Sequence, residues 1–165
     1  MQVNKTAHQA IKALRRVACF SWVMHSLAGS DGSIVIFGDR TYIAANPNSP
    51  GILKVPQNAT IYYLSALPPY SLSHLVCVLI LNCTGNDETS YSKAMVEEIY
   101  NKGANFVGSV IGGELSTRSA IAVSERFWHY ATKGKYATYH YLNQPFVYWT
   151  LCSMPEALQL AVSEV

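Results

Sequence analysis

The sequence predicts an α/β domain with a mostly parallel central sheet and helices on both faces. Leu75-Val76-Cys77-Val78-Leu79-Ile80-Leu81 is an uninterrupted apolar run that stops at Asn82-Cys83-Thr84-Gly85. Such a run, with no alternation, is the pattern of a strand buried on both faces, as in a parallel sheet. From Leu75 onward, further buried-type strands alternate with amphipathic helices, the order that builds α/β layers. A length of 165 residues, 50% hydrophobic and only 13% charged, suffices for one domain with a substantial core.

The elements follow in order. Ala7, Ala10, Ile11 and Leu14 recur at helical spacing, with Arg15-Arg16 where cations suit the end of the helix dipole. Val17 to Met24 reads as a strand that delivers His25 at its carboxyl end. Ser26 to Gly32 has turn composition. Ser33 to Phe37 and Thr41 to Ala44 flank Gly38-Asp39-Arg40 as a hairpin. Asn46-Pro47-Asn48-Ser49-Pro50-Gly51 is a loop, and Thr60 to Leu67 a strand stopped by Pro68-Pro69. After the apolar strand, Ser90 to Lys102 fits a helix closed by Gly103. Ala104 to Ile111 is a second buried-type strand, Gly112-Gly113 a tight turn, and Glu114 to Lys133 a long helix ended by Gly134. The aromatic segment from Tyr136 to Leu151 reads as helix followed by strand, and Pro155 to Val165 as a short terminal helix. No repeat, low-complexity tract or boundary divides the chain, so residues 1–165 read as a single domain or part of one.

Composition excludes several functions. A formal charge of +2, scattered along the chain, does not suit a nucleic-acid binder. No apolar stretch reaches the roughly 18 residues needed to span a bilayer. The first residues lack the features of a signal peptide, and the sequons at Asn4, Asn58 and Asn82 then read as chance matches. The cysteines Cys19, Cys77, Cys83 and Cys152 form neither a C-x-x-C pair nor a zinc spacing. Three of them lie in apolar runs, which favours free thiols in a reducing cytoplasm. Neither a metal nor a cofactor is called for.

Cys83 would sit at the carboxyl end of a central strand, where open α/β sheets place their reactive groups; the alternative is a cysteine packed as a small hydrophobe. Cys19, Cys77 and Cys152 read as core. His25, at another strand's carboxyl end, is the best candidate base, against the alternative of a histidine that is merely hydrogen-bonded. His74 precedes the apolar strand and would lie at its opposite end, while His129 and His140 read as packing or surface residues. Gly112 to Thr117 lacks both the P-loop lysine and the dinucleotide glycine spacing, so a helix start explains it better than a phosphate site. Asp31 and Asp39 are loop acids that could recognise a basic residue. The low charge of the Tyr136 to Trp149 stretch is compatible with core or with a self-association face.

The order of parts, a strand ending in histidine and then one ending in cysteine, followed by helix, strand, Gly-Gly turn and helix, resembles the caspase-like cysteine peptidases of clan CD. It is most similar to the bacterial CHAT branch, related to separase and gingipain. Leu81-Asn82-Cys83-Thr84-Gly85 looks like that family's Leu-Asn/Ser-Ala-Cys-x-Thr-Gly segment, shortened by one residue before the cysteine. Lys102-Gly103-Ala104-Asn105-Phe106-Val107-Gly108-Ser109-Val110 is similar to its Lys/Ala-Gly-Ala segment and Val-Gly-Ser/Thr strand. Arg126-Phe127-Trp128-His129-Tyr130-Ala131-Thr132-Lys133-Gly134 is similar to its aromatic helix end. The resemblance covers Ala7 to Gly134.

The resemblance implies a three-layer caspase-like fold and a His25–Cys83 dyad that cleaves peptide bonds, after Arg or Lys in related branches. It also implies an oxyanion site built from backbone N–H groups, here those of Ser26 and Gly29. Two departures stand out. His25 is followed by Ser26 where the family has glycine, and the family's first strand and helix have no counterpart before Lys5. The expected partners are a protein or peptide substrate, and a second copy or another polypeptide completing the sheet, with no nucleic acid and no membrane. A catalytically inactive scaffold for protein–protein contact is the alternative function, and a nucleotide-responsive α/β domain a third.

Overall fold

A computed structural model describes residues 6–82, 92–110 and 116–165. They form two compact units, the first ending at Thr117 and the second beginning at Arg118.

The first unit opens with helix α1 (Ala7–Leu14), whose buried residues Ala7, Ala10 and Leu14 match the helical spacing in the sequence. Thr6 starts it through a reciprocal capping box: its hydroxyl accepts from the Gln9 N–H, and the Gln9 side chain accepts from the Thr6 N–H. Strands β1 (Cys19–Ser26), β2 (Ile34–Ile36), β3 (Tyr42–Ala44) and β4 (Ile61–Tyr63) follow, then β5 (Cys77–Asn82), helix α2 (Lys93–Asn101) and β6 (Val107–Ser109). The six strands lie in the order β4-β3-β2-β1-β5-β6. Pairing is parallel for β1–β5, β5–β6 and β3–β4 and antiparallel on both sides of β2, so only β2 opposes the common direction. The chain is therefore mixed α/β with a mostly parallel sheet, and β5 and β6 are parallel neighbours joined through a helix, as the crossover rule requires.

Alternation along the strands divides the sheet into two faces. Trp22, Val35, Ile43, Val78 and Ile80 share one core with Ala7, Ala10 and Leu14 of α1 and Met95 and Ile99 of α2. Both helices thus cover the same face. On the other face, Cys77, Leu79 and Leu81 are buried, and Ile34, Tyr42 and Ala44 form a smaller cluster with Val55. All six residues of β5 are buried, which is why its sequence does not alternate.

The expected strands at both ends of the sheet are shorter than their apolar patterns. Of Thr60 to Leu67, only β4 pairs; Leu64–Ala66 turns into a 3-10 helix. Of Ala104 to Ile111, Ile111 lies outside the described residues, and among the others only β6 pairs, after Asn105 N–H and Phe106 O have tied the approach to β5. Gly103 ends the preceding helix at φ 104°, as its sequence position suggested.

The second unit comprises α3 (Thr117–Lys133), β7 (Lys135–Tyr141), β8 (Gln144–Thr150) and α4 (Met154–Ser163). Gly134 separates α3 from β7 at φ 77°. Here the expectation of helix then strand over Tyr136 to Leu151 is corrected, because the segment is an antiparallel hairpin. Its turn residues Leu142 and Asn143 both adopt positive φ (49° and 61°), the type I′ geometry that suits hairpin twist. Leu-Asn does not announce that turn as Asn-Gly would, and Pro145 argues against a central strand. In a two-stranded ribbon every strand is an edge, so Pro145 is tolerated. Ser153 caps α4, accepting from the Glu156 N–H at 3.3 Å, and Pro155 lies in its first turn.

Candidate functional site

Parallel strands deliver their carboxyl ends to one edge. In the β1–β5 register Cys19 faces Cys77 and Met24 faces Asn82. Ile80 faces Ser109 of β6, so Ser26, Asn82 and Ser109 close three neighbouring strands at the same end. His25 stands at this edge, exposed, on the face of β1 shared with Cys19, Ser21 and Val23. Cys83 follows Asn82 in the chain and lies outside the described residues, as do Gly112, Gly113 and Glu114.

Ser26 pairs with Val35 across β1–β2, and the Leu27 N–H donates to Ile34 O at 2.8 Å. Hydrogen-bonded and non-hydrogen-bonded pairs alternate in an antiparallel ladder. Ser26–Val35 is then the non-hydrogen-bonded pair, and the Ser26 N–H is turned away from β2, toward the side where β5 runs. Gly29 lies in the following loop at φ 78°, next to Lys54, whose ammonium donates to Ala28 O at 3.3 Å.

The sequence reading missed the residue that organises this edge. Asn82 is only 5% exposed, and its carboxamide is fully engaged. Its Nδ2 donates to Ser26 Oγ (2.8 Å) and to Gly32 O (2.8 Å), while its Oδ1 accepts from Ser92 Oγ (2.8 Å). Because a carbonyl can only accept, Gly32 O settles which side of the amide carries nitrogen. Ser92 occupies the N-cap position of α2 but makes no side-chain cap; its hydroxyl is directed to Asn82 instead. Gly32 adopts φ 74°, and a Cβ there would come within 3.2 Å of Asn82 Nδ2 and closer still to Ser92 Oγ. A polar residue ending an otherwise apolar run was the available signal. Its three partners, distant in sequence, were not readable.

The two acids separate. Asp31 lies in the β1–β2 loop beside Gly32, exposed, at φ 49°. Asp39 lies in the β2–β3 hairpin, which β2 carries away from the carboxyl edge as it runs antiparallel to β1. Its carboxylate accepts from the Thr41 N–H (3.1 Å) and hydroxyl (2.6 Å), a local turn arrangement.

Among the other candidates, His74 Nε2 contacts Leu14 O at 3.1 Å, ahead of β5, and His129 packs edge-on against Tyr130 in the second unit. His140 is exposed on β7, opposite Pro145. Cys77 is buried, and burial, reinforced by the neighbouring Cys19, pushes its thiol up to about 12. Cys19 itself is exposed, which corrects its expected place in the core. It opens β1 on the same face as Cys77, which is less covered at β1 than at β5. Cys152 is half-buried; desolvation and the Glu156 carboxylate raise its thiol.

Among the described residues no group of three or more His, Cys, Asp or Glu converges to hold a metal ion, and no helix is long and apolar enough to cross a membrane. Comparison with protein-family models, with curated proteins and with solved structures finds no match to this chain.

Proposed function

We propose that the chain is a three-layer caspase-like domain of the CHAT type, a cysteine endopeptidase that uses His25 and Cys83 as a dyad. The observation that carries this reading is the parallel β1–β5 register with Met24 opposite Asn82. His25 follows Met24, and Cys83 follows Asn82 in sequence. Cys77, Leu79 and Leu81 face the same way as Val23 and His25.

In the proposed reaction His25 accepts the thiol proton and the Cys83 sulfur attacks the scissile carbonyl carbon. The oxyanion that forms is met by backbone N–H groups, for which the direction of the Ser26 N–H is suitable. The C–N bond then breaks, the amine leaves with the proton held by His25, and water hydrolyses the thioester to regenerate the thiol. Asp31, exposed at this edge, supports a substrate with a basic residue before the cut, whereas the Asp39 carboxylate is occupied by its own turn. A second copy or another polypeptide, adding to the sheet, is the proposed partner.

The second reading, an inactive scaffold for protein–protein contact, draws on Ser26 standing where the family has glycine. One experiment separates the two. A panel of thiol-reactive peptide probes, with Cys83→Ala as control, should label Cys83 well below pH 8.5, the ordinary thiol range. His25→Ala should slow that labelling. Slow labelling unaltered by His25→Ala supports the scaffold.

A further inference from the structure

Asn82 ends the central strand β5, yet its side chain binds three segments far from it in sequence. The hydroxyl of Ser26, directly after His25, accepts from it at 2.8 Å. The carbonyl of Gly32, at the end of the β1–β2 loop, accepts at 2.8 Å. The hydroxyl of Ser92, where α2 starts, donates to it at 2.8 Å. Both amide protons and the oxygen are therefore used, in a setting where Asn82 is 5% exposed and Ser92 fully buried. Buried polar networks of this kind, fully satisfied, specify one arrangement of the groups they join. Core packing alone would not select it, because apolar contact is non-directional.

We propose that Asn82 is a positioning residue: it ties the end of β1 and the loop after it to the end of β5, and so sets where His25 and the Ser26 N–H stand relative to the residue that follows Asn82. This rests on the dyad reading. The carboxamide is the right group because it donates twice and accepts once within a single plane. A carboxylate of the same shape has no proton for either Ser26 Oγ or Gly32 O. Gly32 belongs to the same device, since any side chain there would press on Asn82 and Ser92.

The test measures the alkylation rate of Cys83 by iodoacetamide across pH, on the full chain in a Cys19→Ser background, because Cys19 is exposed. Asn82→Asp should lower the rate on the order of tenfold or more, since small misplacements of reacting groups are costly. Adding His25→Ala to it should then change nothing further. Ile99→Val, a core truncation near the end of α2 and ahead of β6, should lower the melting temperature while keeping the unaltered rate and pH profile; a comparable rate loss in it would reduce Asn82 to a stability role and overturn the proposal. Should Asn82→Asp fail to fold, hydrogen exchange of the Asn82 carboxamide in the unaltered chain decides: slow exchange supports the clamp, and exchange at the rate of a free side chain overturns it. If His25→Ala alone leaves labelling unchanged, the dyad reading falls and this inference with it. If His25→Ala slows labelling but Asn82→Asp does not, only the inference falls.

Discussion

Cys19 and Cys77 face each other in the β1–β5 register, yet their thiols live in different surroundings. Cys77 is fully buried and raised to about 12, whereas Cys19 is exposed. Brief alkylation of the folded chain at neutral pH should modify Cys19 and leave Cys77 intact until denaturant is added, as read by mass spectrometry of the peptides. Gly32 supplies the second expectation at this scale. Its φ of 74° lies in the left-handed region, and the space beside it is filled by Asn82 and Ser92. Gly32→Ala should therefore destabilise the chain by at least the 1–2 kcal/mol, approximately, that a left-handed L-residue costs. Denaturant titration measures it, and a loss well under that figure would mean the loop relaxes freely.

Single elements depend on their ends. Helix α1 has only eight residues, too few to hold without tertiary packing and a cap. Thr6→Ala removes the capping box and should cost about 1 kcal/mol in chemical denaturation. The β7–β8 hairpin offers the opposite case, an element with a suboptimal turn. Leu142 is 80% exposed and takes φ 49°, so its side chain contributes little packing while its backbone is strained. Replacing Leu142→Asn together with Asn143→Gly should raise stability by about 1 kcal/mol, because those residues favour the type I′ turn. The stacking of Tyr136 on Trp149, with centroids 3.9 Å apart, gives the same hairpin a cross-strand anchor. An unchanged melting temperature in the turn variant would show that this pairing, not the turn, limits the hairpin.

At the scale of the whole molecule, pH acts through the second unit. The Lys135 ammonium donates to the Glu156 carboxylate, linking β7 to α4. This contact lowers Glu156 from 4.5 and raises Lys135 from 10.5. A depressed carboxylate stabilises the fold above its unfolded value, and the contribution is lost as pH falls through the folded one. A raised ammonium stabilises below its unfolded value, and that contribution is lost as pH rises through the folded one. The pair thus acts in the window between the two ordinary values. Cys152, raised from 9.0, removes stability at the alkaline end. The melting-temperature difference between the unaltered chain and Glu156→Gln should be largest near neutrality and shrink as pH falls through the depressed value of Glu156. A difference that does not shrink on acidification would mean that the contact is not ionic.

Local pattern was enough for the elements that bury one well-defined surface. The apolar run before Asn82 reads directly as a fully buried strand, and the spacing of Ala7, Ala10 and Leu14 as a packed helix face. The parallel pairing of β5 with β6 follows from connecting such strands through a helix, whereas the full strand order, with β1 beside β5, came only from the assembled sheet. The hairpin of the second unit was not readable, because its turn is made by Leu142 and Asn143 and its strands expose aromatic residues on both sides, leaving no alternation. The exposure of Cys19 was hidden as well: apolar neighbours flank both Cys19 and Cys77 in sequence and say nothing about how far the sheet is covered at each strand. Least visible was the Asn82 network. Side-chain hydrogen bonds between residues 82, 26, 32 and 92 exist only once the sheet has brought their segments together. A sequence specifies periodicity and chain direction locally, whereas directional contacts between distant segments are set by the tertiary fold that assembles them.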